Sequence, residues 1–167
     1  MRTSHPFTVG TEQEAQAPPA GTFTDSYRAL WPGLVRLGHL LTGSRALGEE
    51  AAQEAFLGLL RTGSAVDNPA AYLRRSLVNA TVNASRRAQR EQRYLSTLRE
   101  EVQPPPELDS TWQVLATLPA RQRAVLVLRY YEDLSEKAIA EVLGCRPGTV
   151  KSLAARGLAR LEKELDA

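Results

Sequence analysis

Cysteine occurs once in this sequence, at position 145, so no disulfide can form within the chain and a reducing compartment is the expected setting. Histidine is nearly as scarce: His5 and His39 are the two, with no second metal-type ligand close to His5 and no paired catalytic group for His39. No metal and no cofactor is expected. Aromatic residues make up 6% of the chain, too few for generic stacking along single-stranded nucleic acid. No apolar run approaches the ~20 residues that a bilayer requires, and the first residues lack the charged-then-apolar order of a secretory signal. No membrane association and a cytoplasmic location are therefore expected. Paired acids, a nucleophile beside a base, and a glycine-rich phosphate loop are all missing, which argues against an enzyme. Lysine is rare as well, since the 21 basic residues comprise 18 Arg and 3 Lys. Arginine suits phosphate and carboxylate contacts but also accumulates in genomes rich in G and C, so the bias by itself carries little weight.

What the chain does have is helical periodicity, and it implies an all-α fold of two small helical domains joined by a flexible linker. Residues 1-22 mix Pro, Gly, Gln and Glu without periodicity and read as a mobile tail. From Thr24 or Asp25, the positions Tyr27, Leu30, Trp31, Leu34, Val35, Leu37, Leu40 and Leu41 mark a helix, which Pro32 is expected to bend or split. His39, in the same run, reads as a surface or partly buried side chain. A second helix is expected from about Arg45 to Arg61, with Ala51, Ala52, Ala55, Phe56, Leu59 and Leu60 turned inward. Glu49, Glu50, Gln53 and Glu54 gather on its outer side. They either favour the positive helix N-terminus or form a docking face for a basic partner.

The segment from Arg61 to Pro69, RTGSAVDNP, breaks the pattern and reads as a loop. A long helix then runs to about Tyr94, with Tyr72, Leu73, Leu77, Ala80, Thr81 and Ala84 on its buried side. It carries Arg74, Arg75, Arg86, Arg87, Arg90 and Arg93 against the single acid Glu91, a local charge of about +5 that suits counterion release from nucleic acid. Asn79 and Asn83, four apart, share a face from which they could reach bases or merely solvent. This first domain takes in residues 23-95. Pro104 to Pro106, set among Glu100, Glu101, Glu107 and Asp109, then exclude continuous helix and give a semi-extended acidic linker over 96-109.

In the second domain, 110-167, Trp112, Leu115 and Leu118 define a short helix. Pro119 can open the next, where Val125, Leu126, Leu128, Tyr130 and Tyr131 are expected to be mostly buried. Ser135 is a natural N-cap for a helix burying Ala138, Ile139, Val142 and Leu143. Gly144 ends it, and Pro147 suits the first turn of its successor. Ala140 is small enough for the two helices to approach, and Val150 with Leu153 anchors the second from below. The arrangement is a helix-turn-helix, whose second helix enters the DNA major groove. Arg146, Thr149, Lys151, Ser152, Ala155 and Arg156 fall on or near its outer face, with no acid among them. Cys145, beside the turn, reads as a small apolar residue rather than a redox sensor.

The stretch LPARQRAVLVLRYYEDLSEKAIAEVLGCRPGTVKSLAARGLARL, Leu118 to Leu161, resembles region 4 of bacterial RNA polymerase sigma factors of the extracytoplasmic-function class. LVRLGHLLTGSRALGEEAAQEAFLGLLRT and NPAAYLRRSLVNATVNASRRAQRE are similar to region 2 of that class, and the chain resembles its actinobacterial sigma-E-like members. By this resemblance, Glu50, Gln53 and Glu54 would contact the coiled coil of the polymerase's largest subunit. The loop Arg61 to Pro69 would capture a flipped base of the -10 element. Arg74, Arg75, Asn79, Asn83, Arg86 and Arg87 would engage -10 DNA and aid melting. Arg146, Thr149, Lys151, Ser152 and Arg156 would read the -35 element, while Leu126 to Tyr131 would dock on the flap of the second-largest subunit. The acidic linker would thread the RNA exit channel, and no region 3 is apparent.

The implied partners are core RNA polymerase, promoter DNA and possibly an anti-sigma factor. Departures from the family pattern are Thr62 in place of a common tryptophan, Ala51-Ala52 in place of a Leu-Val-like pair, and Leu153-Ala154 in place of Arg-Leu. The competing reading is a dimeric helix-turn-helix regulator that works without polymerase, for which the basic helix would be a dimer or RNA surface.

Overall fold

The computed structural model describes residues 20–94 and 109–165, so nearly all of the expected tail and the acidic linker lie outside the described residues. Among the described residues there are seven α-helices: α1 Ala20–Thr42, α2 Arg45–Thr62, α3 Pro69–Tyr94, α4 Asp109–Ala116, α5 Ala120–Tyr130, α6 Glu136–Leu143 and α7 Pro147–Leu165. A single 3-10 turn, Gly63–Ala65, lies inside the segment expected to be loop. Among the described residues there is no strand.

The first three helices form one bundle. Ser44 caps α2, its Oγ accepting from the Leu47 N–H at 3.3 Å. Asn68 caps α3 in the same way through Oδ1 and the Ala71 N–H at 3.0 Å. Where α1 and α2 cross, two glycines meet: a Cβ on Gly38 would lie 2.7 Å from the Gly48 Cα, so only this pair allows so close an approach. Phe23, Tyr27, Trp31 and Phe56 close one end of the bundle, with Tyr27 and Trp31 stacked at 5.0 Å.

Several local expectations are corrected here. Of the two outcomes expected at Pro32, a split is not found, since α1 runs unbroken through it. The bond that Pro32 deletes would have used the carbonyl of Arg28, and both residues are exposed, so that oxygen is not shut into the core. His39 is buried at 7% exposure rather than lying on the surface. On α3 the buried stripe is Leu73, Leu77, Val78, Thr81 and Val82, whereas Ala80 and Ala84 are exposed. Ala80 and Ala84 line an open groove of ≈ 540 Å³ against α2. Leu60 of α2 is likewise exposed, at 46%.

The remaining helices form the second unit. Leu118, Ala124, Val125, Leu126, Val127, Leu128, Ile139, Val150 and Leu153 fill its core. Pro119 precedes α5 at the cap position rather than opening it from within. Tyr130 and Tyr131 are exposed at 64% and 44%, where α5 ends.

The two units do not stand apart. Helices α1 and α3 pack on α5, and α3 packs on α6, so their apolar residues form one continuous cluster. Two separately amphipathic halves are visible in the sequence; that they share a seam is a finding of the structure.

Candidate nucleic-acid and protein-docking faces

The helix-turn-helix forms as its sequence implies. Ser135 Oγ accepts from the Ala138 N–H at 3.2 Å, and Gly144 takes a left-handed conformation with φ 59° while its N–H returns to the Ala140 carbonyl. Ile139, Ala140 and Val142 are buried, and Ala138 and Leu143 are half-buried. Val150 and Leu153 anchor α7, and Ala154 is buried beside them. The Leu153-Ala154 departure therefore belongs to the core. Outward lie Arg146, Lys151, Ser152, Ala155 and Arg156, all exposed, with Thr149 half-buried.

Two of these are oriented by their own helix. Ser152 Oγ donates to the Gly148 carbonyl at 3.0 Å, and Arg156 Nε donates to the Ser152 carbonyl at 3.1 Å. One acid from outside those six positions approaches this face: Glu136 of α6 accepts from Arg129 at 3.0 Å and lies 4.0 Å from Lys151 Nζ. It came from a neighbouring helix, so helical spacing within α7 could not reveal it.

On α3, Arg75, Asn79, Asn83 and Arg86 are spaced by four, four and three residues and so line one side of the helix. Arg75, Asn83, Arg86 and Arg87 are exposed and Asn79 is half-buried. Arg74 points elsewhere. Its Nε donates to Glu132 Oε2 at 2.8 Å, and the two side chains are 27% and 18% exposed. The structure thus keeps five of the six expected -10 residues on or near one open face and sets the sixth against the second unit. Thr62, at the edge of the loop, donates to the Gly58 carbonyl at 2.8 Å and sits 3.4 Å from the Tyr72 hydroxyl.

The outer side of α2 carries Glu50, Gln53 and Glu54, all exposed. Glu54 pairs with Arg61 at 2.8 Å, and Glu49 pairs with Arg45 at 2.9 Å. Glu50 makes no ion pair among the described residues. A residue the sequence reading passed over joins this face: Leu57, 51% exposed, stands one turn beyond Gln53 and Glu54. Its signal was an apolar residue out of phase with the buried stripe.

A second omission is Arg123. It is 8% exposed, and its guanidinium donates from Nη1 to the Leu41 carbonyl at 2.7 Å and from Nη2 to the Leu118 carbonyl at 3.1 Å, 4.7 Å from the centre of the Trp112 ring. Burial pushes its pKa down to about 10, which leaves it charged at neutral pH. Nothing in helical spacing marks a buried arginine.

Two basic helical faces, one of them presented by a helix-turn-helix, stand on the two helical units. The family model Sigma-70 region 2 matches residues 26–91, and the model Sigma-70, region 4 matches residues 108–161. The chain belongs to the sigma-70 family, in its extracytoplasmic-function class. It is 38% identical over 104 residues to the RNA polymerase sigma-E factor of Streptomyces coelicolor, covering 57% of this chain and 56% of that protein. It is 35% identical over 106 residues to the sigma-E factor of Streptomyces avermitilis, covering 58% and 56%. The chain thus spans a little over half the length of these relatives. Its fold is similar to that of the sigma factor RpoE in complex with the anti-sigma factor NepR from Bartonella quintana, with a TM-score of 0.69, 21% identity and coverage of 89% of this chain and 99% of that one. The family is in general not enzymatic. Among the described residues, no helix is long and apolar enough to cross a membrane.

Proposed function

We propose that this chain is a promoter-specificity subunit: it binds core RNA polymerase in the cytoplasm, recognises -10 and -35 elements and directs the opening of the DNA between them. One observation carries the reading. Arg75, Asn79, Asn83 and Arg86 on α3 and Arg146, Lys151, Ser152 and Arg156 on α7 form two separate polar and basic faces on two units of one chain. Two faces on separable units suit two DNA elements better than one. Arginines position the backbone, and Asn79 and Asn83 supply the paired donors and acceptors that discriminate bases.

Opening the duplex requires an unstacked base to be held outside the helix at a cost of a few kcal/mol, which contacts from α3 and the segment 61–69 offset. The side of α2 with Glu50, Gln53, Glu54 and Leu57 docks on the coiled coil of the largest polymerase subunit, and of the stretch Leu126 to Tyr131 only the exposed Tyr130 and Tyr131 dock on the flap of the second-largest, because Leu126, Val127 and Leu128 are buried in the core. An anti-sigma factor is a further partner, as the complex of the Bartonella relative suggests. The chain carries no catalytic activity of its own; polymerase supplies the chemistry.

The test is transcription in vitro from a fragmented genomic library with core polymerase of the same organism, with and without this protein. Defined transcripts that require it are expected, and their start sites give both promoter elements. Failure to bind polymerase, combined with binding of a palindrome as a dimer, would replace this reading with that of a free-standing regulator.

A further inference from the structure

Glu136 borders the outer face of the helix-turn-helix and is engaged on both of its oxygens. It stands in the first turn of α6, where the positive end of the helix favours a carboxylate. Its Oε1 accepts from Arg129 Nη1 at 3.0 Å, and its Oε2 lies 4.0 Å from Lys151 Nζ. The Glu136 side chain is 30% exposed, whereas that of Lys151 reaches out at 72%. One carboxylate thus serves two other helices: Arg129 of α5 fixes it, and it in turn faces the ammonium that α7 presents outward.

That placement changes what the lysine can do. An unattended lysine is a point charge on a flexible four-carbon stem, and holding it at one spot costs rotamer entropy. With Glu136 on one flank, the stem is restricted before DNA arrives, and two of the three N–H groups of the ammonium remain to point outward. In the major groove, the base that offers two acceptors side by side is guanine, through N7 and O6. We infer that Glu136 is a positioning residue for base reading, which aims Lys151 at a guanine of the -35 element instead of leaving it to the phosphate backbone. This rests on the reading of α7 as the -35 helix.

The same carboxylate works against binding in general. A fixed negative charge beside DNA repels the phosphates of every sequence alike, so it lowers total affinity while raising the part that depends on one base. Removing the charge should therefore move affinity and discrimination in opposite directions. A carboxylate that only favours the start of α6, or only repels DNA, would leave base preference where it was.

The full chain bound to core polymerase tests this by selection from a pool of random duplexes, with sequencing of the bound fraction to give the base preference at each position. Lys151→Ala should abolish a guanine preference at one position of the upstream element. Glu136→Gln, which keeps the shape of the side chain and an acceptor for Arg129, should weaken that same preference about three- to tenfold, while total binding at low salt rises about twofold. Glu141→Gln makes the same change of charge at an exposed position five residues along α6, turned away from Lys151, and should leave the preference unchanged. In a Lys151→Ala background, Glu136→Gln should shift no base preference further.

A guanine preference that depends on Lys151 but survives Glu136→Gln intact would overturn the positioning role alone. Equal losses from Glu136→Gln and Glu141→Gln would overturn it too, reducing the effect to net charge. Should the parent protein enrich no upstream motif, or Lys151→Ala leave every position unchanged, the base-reading role of this face fails, and the role of Glu136 falls with it.

Discussion

Arg123 on α5 donates to the Leu41 carbonyl at the end of α1 at 2.7 Å, across 82 positions of sequence. The bond places a cation at the negative end of a helix from the other unit. Burial lowers its pKa to about 10, and hydrogen bonds to the Leu41 and Leu118 carbonyls hold the charged guanidinium in place.

Arg123→Met relieves the burial of a charge but leaves the carbonyls of Leu41 and Leu118 without their donor, so it should cost about 1 kcal/mol. Arg123→Ala, which adds a cavity to the orphaned carbonyls of Leu41 and Leu118, should cost about 2–3 kcal/mol. Urea unfolding of both variants checks the contrast. The pH dependence has a definite sign: Arg123 is protonated in both folded and unfolded states below about 10, so the burial cost is constant there and falls only as the pH rises beyond that value. The stability difference between wild type and Arg123→Met should accordingly be flat from pH 6 to 9.

Gly43→Ala should destabilise the chain by about 1–2 kcal/mol from its left-handed backbone, with a further loss from contact with Trp112. Trp112→Ala removes the second part. A double-mutant cycle by thermal unfolding should therefore give a combined effect smaller than the sum of the two single effects. Strict additivity would show that Trp112 does not sit on Gly43 in solution.

Arg156→Ala should leave the fold unchanged, since the side chain is exposed and bonds only to a carbonyl of its own helix. If Arg156 contacts phosphate, the slope of log affinity against log salt should become shallower by about one. Titration of the polymerase complex on promoter DNA at several salt concentrations gives that slope. An unchanged value removes Arg156 from the backbone contacts.

Glu54→Lys should abolish transcription with little loss of stability, because the exposed Glu54–Arg61 pair is worth at most about 1 kcal/mol. The double swap Glu54→Lys, Arg61→Glu restores an ion pair without restoring the acid at position 54. Transcription should remain absent if position 54 docks polymerase, and would return if the pair only holds α2 together.

The helices and the helix-turn-helix with its caps were legible in the sequence because each depends on neighbours within a few residues, whereas the caps Ser44 and Asn68 were not read there. Ser135, Gly144 and Pro147 do their work inside two turns of helix, and apolar spacing marked Ile139, Val150 and Leu153 without reference to the rest of the chain. Phase was less secure. On α3, Ala80 and Ala84 fit a helical stripe as well as Val78 and Val82 do, and small side chains do not reveal whether a groove is filled.

By itself the sequence determined the all-helical character, the two basic faces and the acidic side of α2, since charge and periodicity are properties of each segment. Tertiary structure decided what those faces meet. That Arg74 joins Glu132, 58 residues away, and that Arg123 closes the end of α1, follow from how two units settle across a long connection. No local pattern encodes that placement, because the partners share no helix, turn or repeat, and only packing of the shared apolar seam brings them together.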